Sequence, residues 1–100
     1  MVIENFNNRN QYLISTNESV IFQSYNAIMF RYDIINKTIY FNTNEDNYTQ
    51  TTCKYLTRAL EWLSETIEHK STWLTACLKS QNKKRFILSS NIERGIDLND

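Results

Sequence analysis

An α+β fold is predicted: an antiparallel meander of about four to five strands, covered on one face by one long or two consecutive helices. Three observations predict it. Between residues 11 and 42, short runs of β-branched and aromatic residues alternate with polar turns. From residue 50 to 81, apolar residues recur at helical spacing. One hundred residues suffice for one hydrophobic core and not for two, so 1–100 is read as a single domain.

Met1 to Asn10 is polar apart from Val2, Ile3 and Phe6, and reads either as a frayed lead-in or as a short edge strand. Tyr12-Leu13-Ile14-Ser15 and Val20-Ile21-Phe22-Gln23 are strand-forming runs, joined by a turn at Thr16-Asn17-Glu18-Ser19. A second turn is expected near Ser24-Tyr25-Asn26. The run Ala27 to Asp33 then has a period of two, with Ile28, Phe30 and Tyr32 on one face and Ala27, Met29, Arg31 and Asp33 on the other. Asn36-Lys37 turns the chain again, and Thr38-Ile39-Tyr40-Phe41-Asn42 alternates in the same way. One face of such a meander needs cover.

The cover follows a polar linker, Thr43 to Asn47. Thr49 is read as an N-cap whose hydroxyl accepts from the backbone N–H of Thr51 or Thr52, so the helix begins at Gln50. Tyr48 before the cap and Cys53 at the fourth helical position form the pair that packs as a hydrophobic staple. Cys53, Leu56, Leu60, Leu63 and Ile67 share one face, with Ala59 beside them, and Lys54, Arg58, Glu61, Glu65 and Glu68 share the opposite one. Leu74 and Leu78 continue the stripe in phase. A single rod from 50 to 80 would be about 45 Å long and would overhang a domain whose radius of gyration is about 13 Å. A break is therefore expected near His69-Lys70-Ser71-Thr72, and an unbroken rod would imply a dimer. Asn82 is read as a left-handed stop, Arg85 to Ser90 (85–90) as a fifth strand returning to the sheet edge, and Gly95 as a turn.

Eleven residues of each sign leave a net charge of zero, so the total implies neither a general attraction to nucleic acid nor mimicry of DNA by an acidic surface, and local patches must carry any such claim. No apolar run has the length of a membrane span, and the first residues lack the pattern of a signal peptide. A cytoplasmic location in a host cell is the expectation. Cys53 and Cys77 read as small buried hydrophobes with free thiols, and no zinc spacing surrounds them. His69, the sole histidine, reads as a surface helix residue, and Glu45-Asp46 and Glu61/Glu65 offer too few oxygens for a hard cation. No metal, cofactor or catalytic residue is assigned, and an enzyme is not expected.

Three sets of residues qualify as binding candidates, each beside a plainer reading. Thr51, Thr52 and Lys54 place hydroxyls, free N–H groups and a cation at a helix start, as in anion sites, or simply cap it. Lys79, Lys83, Lys84 and Arg85 form the concentrated basic segment 79–85, suited to nucleic-acid backbone or to a helix end. Tyr25, Tyr55, Arg58, Trp62 and Trp73 are candidate anchors for a partner, or are covered by other segments of the chain.

Ser24-Tyr25-Asn26, a hairpin, and then Tyr48-Thr49-Gln50-Thr51-Thr52-Cys53-Lys54-Tyr55-Leu56 resemble a family of short uncharacterised proteins of bacteria, phages and plasmids. The family pattern is Ser-Tyr-Asn-Thr, a short hairpin, then Tyr-Ser-x-Thr-Thr-x-Lys/Arg-His-hydrophobic, and the resemblance covers residues 24 to 63. Ala27 replaces a Thr, Thr49 a Ser and Tyr55 a His, so any role of that His is lost here. The resemblance implies a mobile-element origin and a hairpin-plus-helix unit, with no assigned activity. Thirteen Asn alongside many Ile and Lys match the codon bias of an AT-rich genome, and the thirteen aromatic residues supply potential anchors. The expectation is a non-enzymatic phage or mobile-element protein that binds a host protein or complex, with an anti-CRISPR-like inhibitor of host defence as the sharpest version. A small nucleic-acid-binding regulator using 79–85 is the alternative. The chain is expected to be a monomer or homodimer.

Overall fold

Alternation in the first half produces strands laid side by side in chain order. The computed structural model describes residues 2–4, 6, 10–90 and 92–99. Its strands are β1 (Val2–Glu4), β2 (Gln11–Ser15), β3 (Ser19–Ser24), β4 (Ala27–Asp33), β5 (Thr38–Phe41) and β6 (Ile96–Asp97), forming one antiparallel sheet in the order β1-β2-β3-β4-β5-β6. β2 to β5 are the expected meander. The N-terminal alternative resolves as an edge strand, β1, while β6 closes the other edge.

A short 3-10 turn, Glu45–Asn47, leads to α1 (Gln50–Thr66), followed by α2 (Thr72–Lys79) and α3 (Lys83–Ser89). Thr49 is the N-cap of α1, its side chain accepting from the Thr52 N–H at 3.2 Å. The expected break is present: α1 ends with extended backbone at Ile67, and Ser71 caps α2 by accepting from the Leu74 N–H. The radius of gyration is 12.4 Å, so the broken helices stay on the domain.

Leu13, Phe22, Phe30, Ile39 and Phe41 of the sheet are buried in one cluster with Leu56, Leu60 and Leu63 of α1, Leu74 and Cys77 of α2, and Ile87 of α3. Each such large side chain contributes about 1.5–3 kcal/mol by leaving water. Rings connect the layers: Phe41 lies 5.6 Å from Trp73 between centroids, and Trp73 5.4 Å from Phe86. The other face of the sheet carries the cross-strand row Ile14, Ile21, Arg31 and Tyr40, with the Arg31 guanidinium 4.6 Å above the Tyr40 ring.

Three expectations are corrected. Residues 85–90 are not a strand but lie largely in α3, because Asn82 starts a helix: its side chain accepts from the Arg85 N–H, and its backbone is extended rather than left-handed. Phe86 and Ile87 then pack on Trp73 and the core, and it is β6 that returns to the sheet edge. Second, the alternation of β4 is interrupted by a bulge: Phe22 pairs with Phe30 but Gln23 pairs with Ile28, leaving Met29 extra. Met29 is fully buried beside Phe30, and Ile28 is turned outward, half exposed. Asn42 holds the bulge, its N–H donating to the Met29 carbonyl at 2.9 Å and its side-chain amide to the Ile28 carbonyl at 2.9 Å. Third, His69 lies beyond the end of α1, half-buried, with Nε2 against the Leu98 carbonyl.

Candidate functional site: a cleft between the hairpin tip and the start of α1

Two segments far apart in the sequence, the end of β3 and the start of α1, meet in space. Ser24 Oγ and Thr52 Oγ1, 28 positions apart, share a buried hydrogen bond of 2.8 Å. Thr52 Oγ1 also accepts from the Thr49 hydroxyl at 3.0 Å, so the cap of α1 and the end of β3 are one network. Beside it lies an open cleft of about 720 Å³, lined by Ser24, Tyr25, Asn26 and Ile28 from the hairpin, Asn42 from the bulge, and Asp46, Asn47, Thr49 and Thr52 from the approach to α1.

The hairpin tip is held in an unfavourable conformation. Tyr25 has φ 54°, the left-handed region, which costs a residue with a Cβ about 1–2 kcal/mol. Its backbone is fixed from both sides: the N–H donates to the Asn10 carbonyl at 2.7 Å, and its carbonyl accepts from Gln23 Nε2 at 2.9 Å. The ring is 51% exposed, and Ile28 next to the cleft is 50% exposed.

The floor is assembled from the asparagine-rich stretch before α1. Asn42 Oδ1 accepts from the Asn44 N–H at 2.8 Å and from Asn47 Nδ2 at 3.2 Å. The Asn42 carbonyl accepts from the Tyr48 hydroxyl at 2.8 Å. Tyr48 is buried, and burial pushes its phenol well above the ordinary value, with the nearby Cys53 and Cys77 adding to the shift. Gln11 pairs across the sheet with Ser24; it is fully buried, and its amide has no hydrogen-bond partner among the described residues.

Chemically the cleft offers hydroxyls, carboxamides, one carboxylate and two large apolar side chains. The anion candidates are otherwise occupied. Thr52 is committed to the cap and to Ser24, Lys54 sits 5.6 Å over the Tyr55 ring, and Asp46 contributes the cleft's charge. Thr51 is exposed beside them.

The basic segment is largely engaged too. Lys83 Nζ donates to the carbonyls of Leu78 and Ser80 at 3.0 and 2.8 Å, closing the C-terminal end of α2, and Lys84 pairs with Glu45 at 3.3 Å. Lys79 and Arg85 are exposed. Of the aromatic anchors, Tyr55, Trp62 and Trp73 are half-buried against the core. Tyr55 lies 6.1 Å from Phe6 between centroids, with the exposed Arg58 5.2 Å from its ring. Tyr25 alone of the four aromatic candidates is predominantly exposed.

Sequence reasoning missed Ile28, Asn42, Asp46 and Asn47. The density of asparagine from 42 to 47 was the available signal, since asparagine side chains bond locally to backbone and build such networks. Among the described residues, no group of three or more His, Cys, Asp or Glu is placed to hold a metal, and no helix is long and apolar enough to cross a membrane. Comparison of the chain with protein-family models, curated proteins and solved structures gives no match.

Proposed function

We propose that the chain is a binding protein of a phage or other mobile element, without catalytic activity, that occupies a host protein through the β3–β4 tip. The sharpest form of this reading is an inhibitor of a host defence complex. The observation that carries it is Tyr25: a large aromatic ring, half exposed, kept at a backbone conformation that its own side chain disfavours. Such strain persists only where surrounding bonds enforce it, and it is concentrated at sites of function. Ile28, turned outward by the bulge, adds a second apolar anchor beside the polar cleft, the combination of aromatic contact and hydrogen-bonding rim that binding hot spots use. The nucleic-acid alternative has less support, because Lys83 and Lys84 are used within the chain.

The test is expression of the chain in cells that carry an active defence system, scored by phage plaquing, alongside affinity capture with and without nuclease. The expected result is a rise in plaquing and nuclease-resistant capture of a defence component. Both should be lost in Tyr25→Ala/Ile28→Asp and kept in Lys79→Ala/Arg85→Ala. Loss on changing the basic pair, with the tip variant fully active, would overturn this reading.

A further inference from the structure

The opposite end of β4 carries the most exposed large apolar side chain among the described residues. The turn from β4 to β5 runs Ile34-Ile35-Asn36-Lys37, with Ile35 74% exposed and Ile34 37% exposed. Nothing in the turn itself calls for isoleucine. The turning is done by Asp33, whose Oδ1 accepts from the N–H groups of Ile35 and Asn36 at 3.0 and 3.1 Å, and by Lys37 at φ 54°. Beside this knob lies a groove of about 290 Å³ between the sheet end and the loop after α1, walled by Val20, Tyr32, Ile34, Leu63 and Ile67.

We infer that the chain pairs with a second copy of itself through this end, Ile35 of each copy seated in the groove of the other and Lys37 of each facing Glu68 of the other. Two features select a second copy as the occupant. Knob and groove are neighbours on one patch, and a two-fold axis requires that arrangement, because each copy must present both halves. The rim charges are also complementary to themselves: Lys37 lines the groove from the sheet side and Glu68 from the helix side. Among the described residues neither has an ion-pair partner in its own chain. A net charge of zero adds no general repulsion between copies.

The inference stands apart from the reading of the Tyr25 cleft. β4 has seven residues, so the two tips are separated by about 20 Å, and pairing at one leaves the other free. The dimer would therefore present two clefts, and a partner with two sites would be held by both at once.

Sedimentation velocity and light scattering on the full chain test the pairing. The wild type is expected to be a dimer that dissociates on dilution, and Ile35→Asp a monomer with unchanged far-UV circular dichroism. Lys37→Glu and Glu68→Lys should each weaken pairing by about tenfold or more. An equimolar mixture of these two variants should recover it, since both cross-pairs in the mixed dimer then have opposite signs. A wild type monomeric at about 0.5 mM would overturn the inference. So would a dimer indifferent to all three changes, or a mixture that fails to recover. Binding of an apolar peptide in the groove of a monomeric wild type would overturn it as well, and would assign the groove to a different chain.

Discussion

The two tips of β4 solve one problem in two ways. Both turns contain a left-handed residue that is not glycine, Tyr25 and Lys37, each at φ 54°. At Lys37 the turn is held mainly by its own neighbours: Asp33 accepts from the N–H groups of Ile35 and Asn36 and from the Asn36 amide, while two bonds come from farther along the chain, from the Ile34 N–H to the Glu18 carbonyl and from the Leu98 N–H to the Lys37 carbonyl. At Tyr25 one bond is local, from the Gln23 amide to its carbonyl, and the rest of the restraint is tertiary. Asn10, fifteen positions earlier, takes its N–H, and Ser24 beside it is tied to Thr52 at the start of α1. A local turn can form before the domain does, whereas the Tyr25 tip is only as well defined as the packing of hairpin on helix. The difference teaches that the strained aromatic tip is a product of the finished core, and that removing its brace should loosen it selectively.

The largest expected effect comes from breaking that brace. Thr52→Ala leaves the buried Ser24 hydroxyl without its partner and removes a contact of the α1 cap, a loss of about 2 kcal/mol. For a domain of this size that is a fall in Tm of roughly 10 °C. Ser24→Ala/Thr52→Val, which removes both polar groups while keeping most of the volume, should cost clearly less. Urea titration of the wild type, Ser24→Ala, Thr52→Val and the double variant measures the coupling, and a double variant that loses the sum of the two single losses would show that the hydrogen bond does not join hairpin to helix. Asp33→Ala should leave the Tyr25 tip unaffected and loosen only the Lys37 turn.

Alkali and acid should separate the two ends. Burial, then the neighbouring Cys53 and Cys77, raise the Tyr48 phenol beneath the Tyr25 cleft. Burial likewise pushes the Cys77 thiol up to about 12. For an acid raised in this way, the stabilisation is complete below the unfolded pKa, about 8.5 for a thiol and 10 for a phenol. It is then lost as pH rises towards the folded value. Asp33 shifts the other way: the hydrogen bond from the Asn36 N–H, helped by the Asn36 amide, the Ile35 N–H and the Arg31 charge, outweighs desolvation and lowers it. Its contribution is present above about pH 4 and is lost as pH falls through the folded value. Residue-resolved amide exchange should therefore show the core and the cleft floor loosening first in alkali, and the Ile34–Lys37 turn first in acid. Simultaneous loosening of both ends in either direction would merge the two regions into one cooperative unit.

The legibility of this chain follows the same division between local and tertiary causes. α1 was readable because Thr49, Tyr48 and Cys53 mark its start within a few residues, and a five-residue stripe supplies its face. β2 to β5 were readable from their alternation. α3 was not, because Arg85-Phe86-Ile87-Leu88 is too short for periodicity to separate helix from strand, and Asn82, read as the stop of one helix, is the N-cap of the next, whose Phe86 then packs on Trp73. The bulge at Met29 was hidden because its cause is tertiary: Asn42, just past the end of β5, supplies the hydrogen bonds that hold it. Of the cleft, Tyr25 and Thr52 stood out in the sequence as binding candidates, whereas Ser24 is marked there only as part of a turn and of the resemblance, and no local pattern shows that its hydroxyl bonds to Thr52. At the far tip, Ile34 and Ile35 could be seen in the sequence, but whether they were covered depends on packing that no local pattern records.

The smallest expected change bears most directly on what the Tyr25 tip is for. Asparagine tolerates the left-handed region far better than tyrosine does, because its short polar side chain can bond locally. Tyr25→Asn keeps the backbone N–H that Asn10 accepts from and the carbonyl that Gln23 donates to, while relieving the strain. The ring it removes is half exposed, so little burial is lost. The variant should therefore be more stable than the wild type, by about 0.5–1 kcal/mol, seen as a rise of a few degrees in Tm. It should also lose the partner that the ring contacts. Greater stability with lost binding is what a tip selected for contact rather than for folding requires. A variant that is less stable than the wild type would instead make the Tyr25 ring part of the packing that defines the hairpin, and the two tips of β4 would differ in geometry alone.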